Sequence, residues 1–254
     1  MVDYNLWLVF LLAVTRITAF IAVAPLFSNR SVPAWSKIGI GLFLGAVVTP
    51  FAGNPQLLQV DALTFALLLV EEALVGLALG AVANIIFHGI MIGGQLMDVS
   101  MGFAMSNLFD PTSEVQSTLI GRFLNLVAMM MLLAMDGHHS MILALSSSFE
   151  LVPAAGVNLN SLVTREVVSI FTGMFLLAFK LAAPILAVIF VSEISLGLVA
   201  RTVPQLNVFI LGFPLKIGLG VLVLALIFPI MAVVFGNILS QMERDLITVI
   251  GSFR

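Results

Sequence analysis

"ALVGLALGAVANIIFHGIMIGGQLM", residues 73–97, contains no Asp, Glu, Lys or Arg. It is longer than the roughly 20 apolar residues needed to cross a hydrocarbon core, so it reads as a membrane-capable helix. Residues 38–60 and 217–242 are free of the same four residue types and read the same way. With several such runs in one chain, the expected fold is all-α and associated with a membrane.

The rest of the composition agrees. Of 254 residues, 61% are hydrophobic and 9% charged, and the mean hydropathy is +1.20. One soluble core of this size cannot bury that much apolar surface. The chain has no cysteine, which excludes disulfides, thiolate metal sites and cysteine nucleophiles. Its net charge is −3 and its basic residues are scattered, so no polybasic stripe for nucleic acid exists. The first apolar segment, about residues 4–27, lacks a basic leader, carries Arg16 inside it and shows no small-residue cleavage site before "FSNRSVPAW". It reads as a retained helix and not as a signal peptide.

Proline and polar clusters punctuate the apolar text at "SNRSVPAWSK", "TPFAGNPQ", "DPTSE", "DGHH", "VPAAGVNLN" and "TVPQLNVF". They predict helices at about 4–27, 36–49, 61–97, 112–135, 138–150, 162–199 and 214–249. Some are too long and some too short for a simple span. Gly41 and Gly45, Gly76 and Gly80, and Gly89 and Gly93 are small-residue pairs four apart, a spacing that lets helix backbones approach closely, within the chain or between subunits.

Charges inside apolar text need an explanation, because an unpaired one costs at least about 2.5 to 3.5 kcal/mol at a helix centre. Glu71, Glu72, Asp98, Lys180, Glu193 and Lys216 are the residues concerned. They pair, neutralise or face water; the alternative is that they sit in solvated loops or at interfacial helix ends. In "SEISLGLVARTVPQLNVFILGFPLKIG", Glu193 and Arg201 are eight residues apart and lie on similar helix faces without touching. The Gln205 and Asn207 turn folds the chain back, so that Lys216 can reach Glu193 in a buried ionic hairpin.

"MDGHHSM" places Asp136, His138 and His139 together, which invites a metal reading. Successive helical residues point about 100° apart and do not converge on one ion, so an Asp-Gly turn with histidine polar contacts reads better. No nucleophile elbow and no phosphate loop is present, and nothing in the sequence argues for an enzyme or a cofactor.

"MGFAMSNLFDPTSEVQ", residues 101–116, connects two apolar helices. Met97, Met101 and Met105 recur every four residues, a stripe that packs a core or seals a surface that changes shape. Asp110 reads as a helix N-cap, with Pro111 at the first helical position and Glu114 in the first turn. The apolar linker at about 102–109 suggests a pore plug, since apolar side chains close a narrow water path by dewetting.

Three blocks together, "GGQLMDVSMGFAMSNLFDPTSEVQ", "MDGHH" and "SEISLGLVARTVPQLNVFILGFPLKIGLG", resemble over essentially the whole chain the export-gate family of flagellar and virulence type III secretion, that of FliR, SpaR, YscT and HrcT. The resemblance implies an all-α integral membrane or membrane-associated protein with long, broken and hairpin helices, a single export-gate domain like a fusion of a FliP-like part (about 1–150) and a FliQ-like hairpin part (about 151–254). It implies a non-enzymatic subunit that forms, with FliP and FliQ and alongside FlhB and FlhA, a closed pore for unfolded flagellar proteins in the bacterial inner membrane, at the flagellar basal body. Carried over to this chain, residues 102–110 become the plug, with Met101, Phe103, Met105, Leu108 and Phe109 as seal. Asp98, Asp110, Asp136, His138, Glu193, Arg201, Gln205, Asn207 and Lys216 are expected as structural polar contacts. The rival readings are a stand-alone secondary transporter or ion channel using its intramembrane charges, and a membrane enzyme using Asp136 and His138.

Overall fold

The computed structural model describes residues 4–29, 32–53, 61–103, 118–158, 161–203, 205 and 207–253. Among these the chain is helical throughout, without strands: α1 (Tyr4–Val23), α2 (Ala34–Val48), a 3-10 turn (Thr49–Phe51), α3 (Ala62–Met101), α4 (Leu119–Ala134), α5 (Gly137–Leu151), α6 (Ser161–Thr202) and α7 (Val208–Ser252). The predicted helices all have a counterpart, α4 only from Leu119 onward, because residues 104–117 lie outside the described set.

Local chemistry sets several boundaries. Pro33 precedes α2, and Pro50 falls in the 3-10 turn that ends it, where the Thr49 hydroxyl donates to the Gly45 carbonyl at 2.6 Å. Asp61 opens α3: its carboxylate accepts from the Thr64 hydroxyl and its carbonyl from the Phe65 N–H. The Thr64 hydroxyl holds the Asp61 carboxyl below the usual carboxylate range. Between α4 and α5, Asp136 adopts a left-handed conformation (φ 55°), and the chain bends by 69°.

By length and apolar character, five of the helices can each cross a membrane, and the bent α4–α5 pair can supply a sixth crossing. The protein is therefore an all-α integral membrane protein. Tryptophan, leucine and phenylalanine side chains stand exposed along α1, α2, α3, α6 and α7, among them Trp35, Phe43, Phe179 and Leu226. Lipid or partner chains can cover such a surface and water cannot.

Two compact units form, each from separate segments: residues 1–86, 132–172 and 238–254, and residues 87–131 and 173–237. Helices α3, α4, α6 and α7 each contribute a segment to both. This partition is one of packing, and it is a different matter from the likeness-based division near residue 150.

In the first unit, Leu12, Ala13, Ile17 and Phe20 of α1 are buried, as are Val75 and Leu79 of α3, Met141, Leu145 and Phe149 of α5, and Met242 and Leu246 of α7. Small residues bring these helices close. A Cβ on Gly41 or Gly45 would meet Thr18 or Val14 of α1, and one on Gly76 or Gly80 would meet the Arg16 or Phe20 carbonyl oxygen. The loop after α5 is tied in by the Ala154 N–H to the Ala52 carbonyl (2.9 Å) and the Asn158 N–H to the Phe253 carbonyl (3.0 Å).

In the second unit, Met97, Met101, Ile120, Leu124, Ala178, Leu181, Ile185 and Phe235 are buried. Gly89 and Gly93 lie against Met174, Leu177, Ala178 and Leu181 of α6. All three glycine pairs four apart thus face helices of this same chain.

Candidate functional site

Residues from the end of α3, the start of α4 and the start of α7 converge in the second unit. Gly94 and Gly121 let α3 and α4 touch, backbone to backbone: a Cβ on Gly94 would fall 2.6 Å from the Gly121 nitrogen. One turn further on, the Asp98 side chain is 2% exposed. Its two carboxylate oxygens accept the Ile120 N–H (3.0 Å) and the Gly121 N–H (3.2 Å). These donors belong to the first turn of α4, which has no intrahelical acceptors for them, and the helix dipole favours a negative charge there. A carboxylate from one helix therefore caps the next, across 22 residues of sequence.

Met101 is fully buried against Gly220 of α7, where any side chain would collide with its thioether. Gly102 ends α3 with φ +93°, a conformation that suits glycine, and Phe213 packs over it. Phe103 follows, half-buried. Of the expected seal residues, Met101 and Phe103 are thus placed at the end of α3, while Met105, Leu108 and Phe109 lie outside the described residues, as does Asp110.

At the α6–α7 hairpin, Lys216 Nζ and Glu193 Oε1 are 2.5 Å apart. Their side chains are 21% and 50% exposed, so the pair is not the buried one expected from the sequence. Lys216 is largely covered by the chain, while Glu193 is exposed. Arg201 and Gln205 are exposed, and the Asn207 carbonyl accepts the Leu211 N–H at the start of α7 (3.3 Å). Asp136 is exposed, while the His138 Nδ1 is buried with no hydrogen-bond partner among the described residues. No group of three or more His, Asp or Glu able to hold a metal occurs among the described residues.

The most elaborate polar cluster was missed at the level of sequence. In the first unit, Arg16 and Glu72 are both 0% exposed, and Arg16 Nε donates to Glu72 Oε2 at 2.5 Å. Arg16 Nη2 donates to Glu72 Oε1 (3.1 Å), making the pair bidentate, and Nη1 donates to the Ser148 carbonyl and hydroxyl (3.2 Å each) and the Val152 carbonyl (3.0 Å). Glu72 Oε1 also accepts the Ala155 N–H (3.0 Å), and the guanidinium lies 4.2 Å from the Phe149 ring centre. The signal was present as Arg16 and Glu72, each a charge in apolar text, but spacing alone could not pair residues 56 apart. These contacts satisfy a buried ion pair, holding α1, α3 and α5 to the following loop.

Comparison with known proteins places this arrangement. Residues 7–242 match the family described as bacterial export proteins, family 1. The flagellar biosynthetic protein FliR of Bacillus subtilis (strain 168) is 36% identical over 97% of both chains. That of Escherichia coli (strain K12) is 29% identical over 92% of this chain and 90% of its own. The Yop proteins translocation protein T of Yersinia pestis is 30% identical over 86% of this chain and 85% of its own. With a match over almost its full length and a relative this similar end to end, the chain belongs to bacterial export protein family 1, the family of the flagellar FliR proteins.

Proposed function

We propose that the chain is a non-enzymatic subunit of the type III protein export gate, and that with FliP-like and FliQ-like subunits, alongside FlhB and FlhA, it forms a closed pore for unfolded flagellar proteins. At the coarser level it is a component of the type III export apparatus, in the bacterial inner membrane at the flagellar basal body, as its family and its span-capable helices indicate. The division into a FliP-like part up to about residue 150 and a FliQ-like hairpin part beyond it belongs to the same proposal. So does the role of residues 102–110 as a plug.

One observation carries the plug reading furthest. Asp98 ties the first turn of α4 to the end of α3, while Met101 and Gly102 are seated on Gly220 and Phe213 of α7. The two flanks of the plug segment therefore share one anchor. Met101 is buried in that anchor and supports the seal from behind, which leaves Phe103 and the residues after it to close the pore.

The test is co-expression of a tagged chain with its neighbouring operon, purification in mild detergent, and intact mass with composition. A stoichiometric complex with FliP-like and FliQ-like subunits is expected; a lone protein or homo-oligomer would overturn the reading in favour of a transporter. Within an assembled complex, deleting residues 104–108 is expected to make cells leak small ions. Unchanged permeability would remove the plug while leaving the gate.

A further inference from the structure

Helix α6 carries an exposed stripe with no cover among the described residues. Lys180, Pro184, Ala187, Val191, Ile194 and Leu198 are all exposed. Their spacing alternates four and three residues, the period of a seam against which a second helix packs knobs into holes. Beside the stripe lies a groove of about 530 Å³, lined by Phe179, Ala183, Ala187, Phe190 and others. Apolar surface alone would suit lipid as well as a helix.

Lys180 decides between them. It has no hydrogen-bond or ion-pair partner among the described residues, and Phe175, Leu176 and Phe179 around it are exposed. At 1.5 Å per residue it is about 30 Å from either end of α6, too far for its side chain to reach the end of the helix. Pro184 also lacks the N–H that would bond the Lys180 carbonyl four residues earlier. A cation and a freed carbonyl thus stand together at the middle of an apolar helix, where acyl chains offer neither of them a partner.

We propose that this stripe docks an apolar helix of a partner subunit that carries a carboxylate opposite Lys180. A second copy of this chain does not fit. Parallel pairing sets Lys180 against Lys180, antiparallel pairing about the centre of the stripe sets it against Leu198, and no acidic residue lies on the stripe. Of the acids on α6, Glu193 is roughly 140° away around the helix and is engaged by Lys216, whereas Glu166 lies on the same face as Lys180, nearer the start of the helix. A second copy could set Glu166 against Lys180 only by antiparallel pairing centred on Gly173, in which its α6 begins opposite residue 185 and leaves Ala187, Val191, Ile194 and Leu198 uncovered. The inference rests on the export-gate reading for the existence of a partner subunit, and it adds what that subunit's helix carries.

The experiment uses the full chain co-expressed with its neighbouring operon, with a photo-crosslinking residue at Ile194 or Leu198 and charge variants at Lys180. The expected result is a crosslink to a subunit of the purified complex, on a helix with an Asp or Glu at the matching height. Lys180→Glu should lower recovery of that subunit by a factor on the order of ten or more, and changing the partner's acid to Lys should restore it. Lys180→Met keeps an apolar side chain of similar length, so the chain should accumulate normally; reduced recovery of the partner is expected here too. If both variants leave a wild-type level of complex, or if the crosslink goes only to lipid or to a second copy, the inference is overturned while the gate reading stands. If the wild-type chain purifies without partner subunits, the gate reading itself fails.

Discussion

At the scale of single residues, buried charge dominates. Arg16 and Glu72 are fully enclosed and every strong contact of the guanidinium is made, so removing one member strands the other. Glu72→Gln or Arg16→Met is expected to destabilise the protein by about 3 to 5 kcal/mol, read as a lowered melting temperature in detergent. The double variant Arg16→Met with Glu72→Met should recover much of that loss, because an apolar pair leaves no uncompensated charge; equal loss in single and double variants would count against this account. Asp98 acts on a smaller scale. Asp98→Ala leaves two backbone N–H groups of α4 without acceptors and should cost about 1 to 3 kcal/mol. Asp98→Asn keeps one acceptor oxygen and should cost less; hydrogen exchange at Ile120 and Gly121 reports both.

At the scale of helices, close approach is what the glycines provide. Gly94 meets Gly121 backbone to backbone, so Gly94→Val must push α3 and α4 apart. A loss on the order of 1 to 3 kcal/mol is expected, together with loss of the Asp98 cap, whereas Gly173→Ala, with open space around its Cβ position, should be silent. The hairpin of α6 and α7 is joined by the Glu193–Lys216 pair, half open to its surroundings. Exchanging the two charges should restore whatever assembly either single reversal loses, which a double-mutant cycle on complex yield measures; failure of that rescue would argue that each residue serves a different partner.

At the scale of the whole molecule, the amount of exposed apolar surface is the governing fact. Exposed Trp, Phe, Leu and Ile side chains line the span-capable helices, so the chain expressed alone should aggregate or be degraded, and partner subunits should raise its steady-state amount. Immunoblotting with and without the neighbouring genes tests this; equal amounts of well-behaved protein in both cases would favour a self-sufficient transporter.

Much of the architecture was legible without coordinates. Charge-free runs such as residues 73–97 can only be helices that avoid water, since in a hydrocarbon environment each backbone N–H and C=O must be satisfied within its own segment. Proline and Asp-Gly punctuation marked where they stop, and Asp136 shows why: it takes the left-handed turn between α4 and α5. The family, too, was legible in the "DVSMGF", "DGHH" and "PQLNVF" blocks. Pairing was not. The Arg16–Glu72 cluster joins residues 56 apart, the Asp98 cap reaches an N–H 22 residues away, and Met101 proves to be core against Gly220. Periodicity assigns a residue to a face of its own helix, but which helix meets that face depends on how the helices cross. In a chain that is apolar on nearly every side, hydrophobicity does not discriminate among the faces, and the crossings are chosen by where glycines permit contact and where buried charges find partners; only the tertiary structure contains that choice.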